Sequence, residues 1–217
     1  LRLFSVSFRG KTEKISKKKI MFNYAIPALV AGLAWALFFN GQYIFLNIIK
    51  GSEATGIFSI AMVLTSPLAI IPNILNIALL PTTSQLSAFH GTIKKQRYLI
   101  SLVFRYSLFI SLPLAVFLIL FSKPVILLFS RTEYISASAI IPILVLGSII
   151  YGSGNGFLSS LYAMGKTKIN RNIVIATTLL FILFAIPLIH LFSSSGSAIA
   201  YSLSVTFLGA ISFLYLK

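Results

Sequence analysis

A chain of 217 residues that is 58% hydrophobic and 10% charged, with mean hydropathy +0.97, cannot cover a soluble core. Soluble domains run near ~45–50% apolar and ~25% charged, so the excess here calls for lipid. The absence of cysteine excludes disulfides, thiolate metal sites and cysteine nucleophiles, and an excess of basic residues gives a formal net charge of +15. They do not signal nucleic-acid binding, because the bases sit in short clusters between long apolar runs.

Residues 1–20 read as a basic amphipathic linker, with Leu3, Phe4, Val6 and Phe8 ahead of the run Lys17–Lys19. Such a segment either lies on the anionic inner leaflet or serves only as a stop-transfer flank. The chain opens on Leu1 without a signal-peptide layout, which reads as a fragment or as one half of a longer protein. Residues 21–217 are then expected to form an all-α integral membrane bundle of six transmembrane helices.

The first span is expected over about 24–49. It carries Asn40, Gln42 and Asn47 among Trp35, Phe38, Phe39 and Tyr43. Amides and aromatic faces suit carbohydrate, which offers hydroxyls to bond and C–H faces to stack on. The same side chains also serve as interhelical hydrogen bonds and lipid contacts. The second span, about 56–80, holds Pro67 and Pro72, with Pro81 at its end and Asn73 and Asn76 one turn apart. Prolines free carbonyls and kink helices, either to line a transport path or only to pack.

The third span, about 98–121, contains Arg105, about 12 Å deeper than Arg97 at 1.5 Å per residue. It either meets an anionic group in a cavity or snorkels to the inner face. Pro124–Phe129 is too short to span and reads as an external interfacial segment. The fourth span, about 135–164, bears a small-residue stripe at Ser148, Gly152, Gly156 and Ser160 with Asn155 beside it, which lets another helix approach closely. Its GSGNG run is no nucleotide loop, since no strand precedes it. The fifth and sixth spans fall at about 172–192 and 196–216. None shows the alternation of a membrane β-strand.

Basic residues orient the bundle. Fourteen fall on the side of both termini and of the loops after the second and fourth spans, against three on the other side. The positive-inside rule therefore places both ends in the cytoplasm of a multi-pass cell-membrane protein. The acids are Glu13, Glu53 and Glu133, all expected outside the spans. That argues against a relay of buried acids and against paired-carboxylate catalysis. His90 and His190 fall near opposite faces and form no metal cluster; no metal, cofactor or nucleic acid is expected.

The order of motifs resembles the C-terminal half of polysaccharide flippases, in the multidrug/oligosaccharidyl-lipid/polysaccharide (MATE-like) exporter superfamily. The family's G-x-E-x-x-G-x-Y/F turn is matched by Gly51, Glu53, Gly56 and Phe58, and its proline with small polar residues by Pro81–Ser84. LPL at 112–114, KPVILLF at 123–129, Glu133–Tyr134, LYAMGKTK at 161–168 and GSAIAYSLS at 196–204 follow in order. Two departures stand out. Gln42 occupies about the place of a common family Asp, which puts any ion-coupled step through that acid in doubt. Ser130–Arg131–Thr132 stands where a glycine usually precedes the Glu-Tyr pair.

The resemblance implies a non-enzymatic flippase of two six-helix halves. It would carry lipid-linked oligosaccharide across the cytoplasmic membrane by alternating access, and its partners would be that substrate, membrane lipids and the missing N-terminal half. The candidate substrate-binding residues are Arg105, Asn40, Gln42, Asn47, Tyr43, Asn73, Asn76 and Asn155. The alternatives are a multidrug or cation antiporter of the same superfamily, a membrane-embedded glycan polymerase or glycosyltransferase, and a structural subunit with no path of its own.

Overall fold

The computed structural model describes residues 21–88, 93–163 and 165–216, and every regular element among them is helical. The expected linker at 1–20 and His90 lie outside the described residues. A π-helical turn at Met21–Ala25 leads into α1 (Ile26–Thr65), α2 (Pro67–Ala88), α3 (Ile93–Leu120) and α4 (Ser122–Phe129). A 3-10 helix at Thr132–Ala139 then precedes α5 (Ile141–Ala163) and α6 (Thr167–Leu216). In lipid, backbone groups must be satisfied within the segment, which helices alone achieve without closing a barrel.

The 40 residues of α1 would measure about 60 Å if straight, twice a hydrocarbon core. They are not straight. Gly51 takes φ 83° and ψ −176°, outside helical space. In consequence the Tyr43 and Phe58 rings, about 22 Å apart along a straight helix, meet with centroids 5.6 Å apart. So α1 is a helical hairpin with arms at 26–50 and 52–65. The 50-residue α6 is broken the same way at Ser193, φ 53° and ψ −128°. Past that turn Gly196 lies so close to the first arm that a Cβ there would overlap the Leu188 carbonyl.

The second arm of α1 runs into α2 with only Ser66 between them. Pro67 has no N–H to give the Val63 carbonyl four residues back. That carbonyl instead accepts the Ser66 backbone N–H at 3.3 Å and the Ser66 hydroxyl at 2.7 Å. The Thr65 hydroxyl donates to the carbonyls of Ala61 (2.9 Å) and Met62 (3.2 Å). The proline break is thus stitched by two neighbouring hydroxyls.

Element boundaries depart from expectation where the chain has polar or proline-containing ends. The fourth span, expected from Ile135, begins as α-helix at Ile141. Pro142 accounts for this start: without an N–H it is favoured in the first turn of a helix, where no intrahelical donor is needed. The third and fifth spans begin earlier than expected, at Ile93 and Thr167. Their first turns hold the basic residues that flank the apolar stretch. Among the described residues four helical stretches are long and apolar enough to cross a membrane: Met21–Thr65, Ser101–Leu120, Ile141–Leu161 and Thr167–Tyr215. The first and last are the two hairpins.

The core is aromatic at its centre. Phe38 is fully buried and meets Trp35, Phe39, Phe181 and Tyr201 at centroid distances of 5.2 to 5.8 Å. Around it, hydroxyls tie neighbouring helices: Thr178 Oγ1 donates to the Ala34 carbonyl at 3.1 Å, and Ser202 Oγ to that of Ile143 at 2.9 Å. The outer surface is lined by exposed Leu, Ile and Phe side chains, the inversion that a lipid solvent permits.

The hairpins also fix which ends lie together. Ser194 Oγ, next to one turn, donates to the Ala54 carbonyl next to the other at 2.9 Å, and Gly56 faces Tyr134 of the 3-10 helix. At the opposite end Thr167 Oγ1 donates to the Asn23 carbonyl at 2.7 Å. Both hairpin turns and the 3-10 segment therefore share one end of the bundle. The start of α1 and the α5–α6 connection share the other.

Candidate functional site

At about 100° of rotation per residue, the first arm of α1 presents three faces. Ala31, Phe38, Gln42 and Leu46 point into the core and are buried. Leu33, Leu37, Ile44 and Ile48 form an exposed aliphatic face, suited to lipid. Between these two runs a third stripe: Gly32, Ala36, Phe39, Asn40, Tyr43 and Asn47, exposed or half-buried throughout. Amides and small residues gain nothing from facing lipid tails. This stripe is the polar part of the arm's outer surface.

One edge of the stripe leads to α5. Tyr151 packs edge-on against both Trp35 (5.8 Å) and Phe39 (5.6 Å), while Trp35 stacks on Phe39 at 5.3 Å. The Tyr151 hydroxyl is hydrogen-bonded to the Asn73 side chain of α2. Asn155, one turn after Tyr151, donates from Nδ2 to Asn73 Oδ1 at 2.5 Å. Asn76 Nδ2 reaches the Gly152 carbonyl at 3.4 Å. Aromatic faces and carboxamides from three helices thus form one continuous patch.

Glycine makes the meeting of α2 with α5 possible. A Cβ on Gly152 would stand 2.9 Å from Pro72 Cγ and 3.0 Å from the Leu68 carbonyl oxygen, and one on Gly156 would overlap Asn76 Oδ1. The Leu68 carbonyl is the one that Pro72 leaves without its helical donor. The small-residue stripe and Pro72, singled out separately in the sequence, are two sides of one contact.

The other end of the α1 stripe opens on a groove of about 370 Å³ beside the Gly51 turn, lined by Tyr43, Ile44, Asn47, Ser52 and Thr55. Asn40 lies between the groove and the amide patch, exposed, its Nδ2 returning to the Ala36 carbonyl at 2.8 Å.

Two candidates stand apart. Gln42 is fully buried; its Nε2 donates to the Phe38 carbonyl at 3.3 Å and its Oε1 has no partner. Arg105 is exposed on α3, a helix that packs on α2 and α5 rather than on the α1 stripe. Tyr151 was the residue that sequence reasoning missed, although it lies one turn before Asn155 and on the same face. Of the acids, Glu53 and Glu133 are exposed. Among the described residues no group of three His, Cys, Asp or Glu could hold a metal.

Comparison with known proteins places this geometry. Residues 3–139 match the model of a family described as polysaccharide biosynthesis protein. The fold is similar to the crystal structure of a MATE mutant, with TM-score 0.75 and 16% sequence identity over 93% of this chain. The chain spans 46% of that protein's length. No curated protein matches the sequence.

Proposed function

The chain belongs to the polysaccharide biosynthesis protein family, and from that premise we propose that it is half of a flippase for lipid-linked oligosaccharide. The observation that carries the reading is a polysaccharide-family sequence folded as the equivalent of about half a MATE-like protein. A six-helix half of this kind encloses no path alone. Its polar α1 stripe would face a second half across a water-filled cleft, with the aliphatic face left to lipid. The glycan headgroup would cross within that cleft while the lipid tail stays in the bilayer. Alternating exposure of the cleft to the two leaflets would then move the headgroup without any bond being made or broken. On this reading the protein is a transporter rather than an enzyme, sits in the cell membrane and keeps both ends of this segment in the cytoplasm.

Scarce acid supports glycan over cation as cargo. A cationic drug or a coupling proton calls for a carboxylate at membrane depth, and Gln42 and Asn155 are neutral. Deleting the gene tests the reading. Lipid-linked oligosaccharide should accumulate on the cytoplasmic leaflet and surface polysaccharide should fall. Unchanged glycan together with a rise in drug sensitivity would instead assign cation antiport.

A further inference from the structure

We infer that Trp35, Phe39, Tyr151, Asn73 and Asn155 form a subsite for an uncharged sugar ring of the transported headgroup, a reading that rests on the flippase function proposed above. The first argument is chemical. A sugar offers C–H faces and a rim of hydroxyls that donate and accept. Trp35 and Phe39 supply stacked aromatic surface at 5.3 Å, and a phenol and two carboxamides stand directly beside it. None of the five carries a charge, so a phosphate finds no cation here and a cationic drug no carboxylate.

The second argument is placement. The Asn155–Asn73 bond uses one of the four hydrogen-bonding valences that each carboxamide owns. Both amides are half-buried rather than sealed. Trp35 and Phe39 are likewise half-buried and border the α1 stripe whose polar character lipid does not explain. A purely structural amide pair would be served as well in the interior, away from this stripe.

The third argument concerns neighbours. Tyr151 touches both aromatic rings and bonds Asn73, so a ring resting on Trp35 and a hydroxyl bonded at Asn73 or Asn155 are sensed together. Phosphate recognition must then come from elsewhere in the assembled protein.

Trp35 is the single tryptophan of these 217 residues, and its emission reads the subsite. The full-length protein in detergent is titrated with the lipid-linked oligosaccharide fraction of its own host membranes, and with that fraction after mild-acid release of the glycan. Bound lipid is counted independently by mass spectrometry. The emission change assigned to Trp35 is the part absent from Trp35→Phe. It is expected with the intact fraction and not with the stripped one. Asn155→Leu, which keeps side-chain size, should shift the titration about tenfold, what one lost polar contact is worth; Tyr151→Phe should shift it less.

Equal responses to intact and stripped lipid would overturn the subsite. So would intact lipid that binds Asn155→Leu as tightly as wild type while Trp35 stays silent; in that case the flippase reading stands. Intact lipid that fails to bind the wild-type protein at all overturns the flippase reading and the subsite with it.

Discussion

Gly152 shows how far a single residue can be read. The four-residue spacing of Ser148, Gly152, Gly156 and Ser160 marks a face for close approach in the sequence alone. It does not reveal the partner, because spacing describes one helix and says nothing of its neighbour. The partner is the Pro72 ring and the Leu68 carbonyl of α2, which leave less than van der Waals room for a Cβ on Gly152. Gly152→Val should therefore lower stability by about 1–3 kcal/mol through overpacking, read as a lower melting temperature in detergent. Gly32→Ala is its control. Nothing lies within 4 Å of a Cβ there, and alanine is the better helix former by about 1 kcal/mol, so the melting temperature should hold or rise. Gln42 was less legible. Its amide suggested a cavity, but its position toward the α1–α6 contact buries it completely. The rotation that separates Gln42 from Asn40 is two residues, and only packing decides which of them faces inward.

Helix ends and breaks obey backbone chemistry that the sequence partly displays. Gly51 and Pro67 both announced departures from a straight helix, and both occur. The turn in α6 falls in the gap expected between the fifth and sixth spans, at Ser193, whose φ of 53° and ψ of −128° resemble the glycine-favouring position of a II′ turn. Serine lacks the freedom of glycine there, and the turn persists because the residues just after it are held in place, Ser194 by the Ala54 carbonyl and Gly196 against Leu188. Ser193→Gly should relieve that strain and raise stability by about 1 kcal/mol, while Ser193→Val should lower it. Thermal unfolding of the two variants side by side tests the turn. The Pro67 break makes a sharper test through coupling. Ser66→Ala strips the hydroxyl from a carbonyl that Pro67 has already deprived of a donor, so it should cost about 1 kcal/mol. In a Pro67→Ala background the regained N–H serves Val63, and the same serine substitution should cost little. Additive effects of the two changes would show that the hydroxyl does not compensate for the proline.

For the whole molecule, sidedness is what the charges and the helices state independently. The geometry groups the Gly51 turn, the Ser193 turn and the 3-10 segment at one end, and Asn23 with Thr167 at the other. The sequence places its basic clusters beside the second group: Lys166, Lys168 and Arg171 follow α5, and the run Lys17–Lys19 precedes α1. Neither argument uses the other, yet both divide the chain at the same points. Charge asymmetry is legible because it acts through composition, whereas the pairing of hairpin turns depends on contacts more than a hundred residues apart, such as Ser194 with Ala54. Geometry alone does not say which end is inside; the positive-inside rule is the argument that assigns the basic end to the cytoplasm in the orientation proposed above. Because this stretch has no cysteine, single cysteines report on it without interference from within. Cysteines replacing the exposed Glu53 and Glu133 should react in intact cells with a maleimide that cannot cross the membrane. Cysteines replacing the exposed Lys166 and Lys168 should react only after permeabilisation. Each of these lysine changes leaves the rest of the basic cluster in place, so orientation should not flip. The reverse pattern would invert the bundle and put the proposed direction of transport in question, and labelling of all four from outside would break the pairing of ends on which the hairpin reading rests.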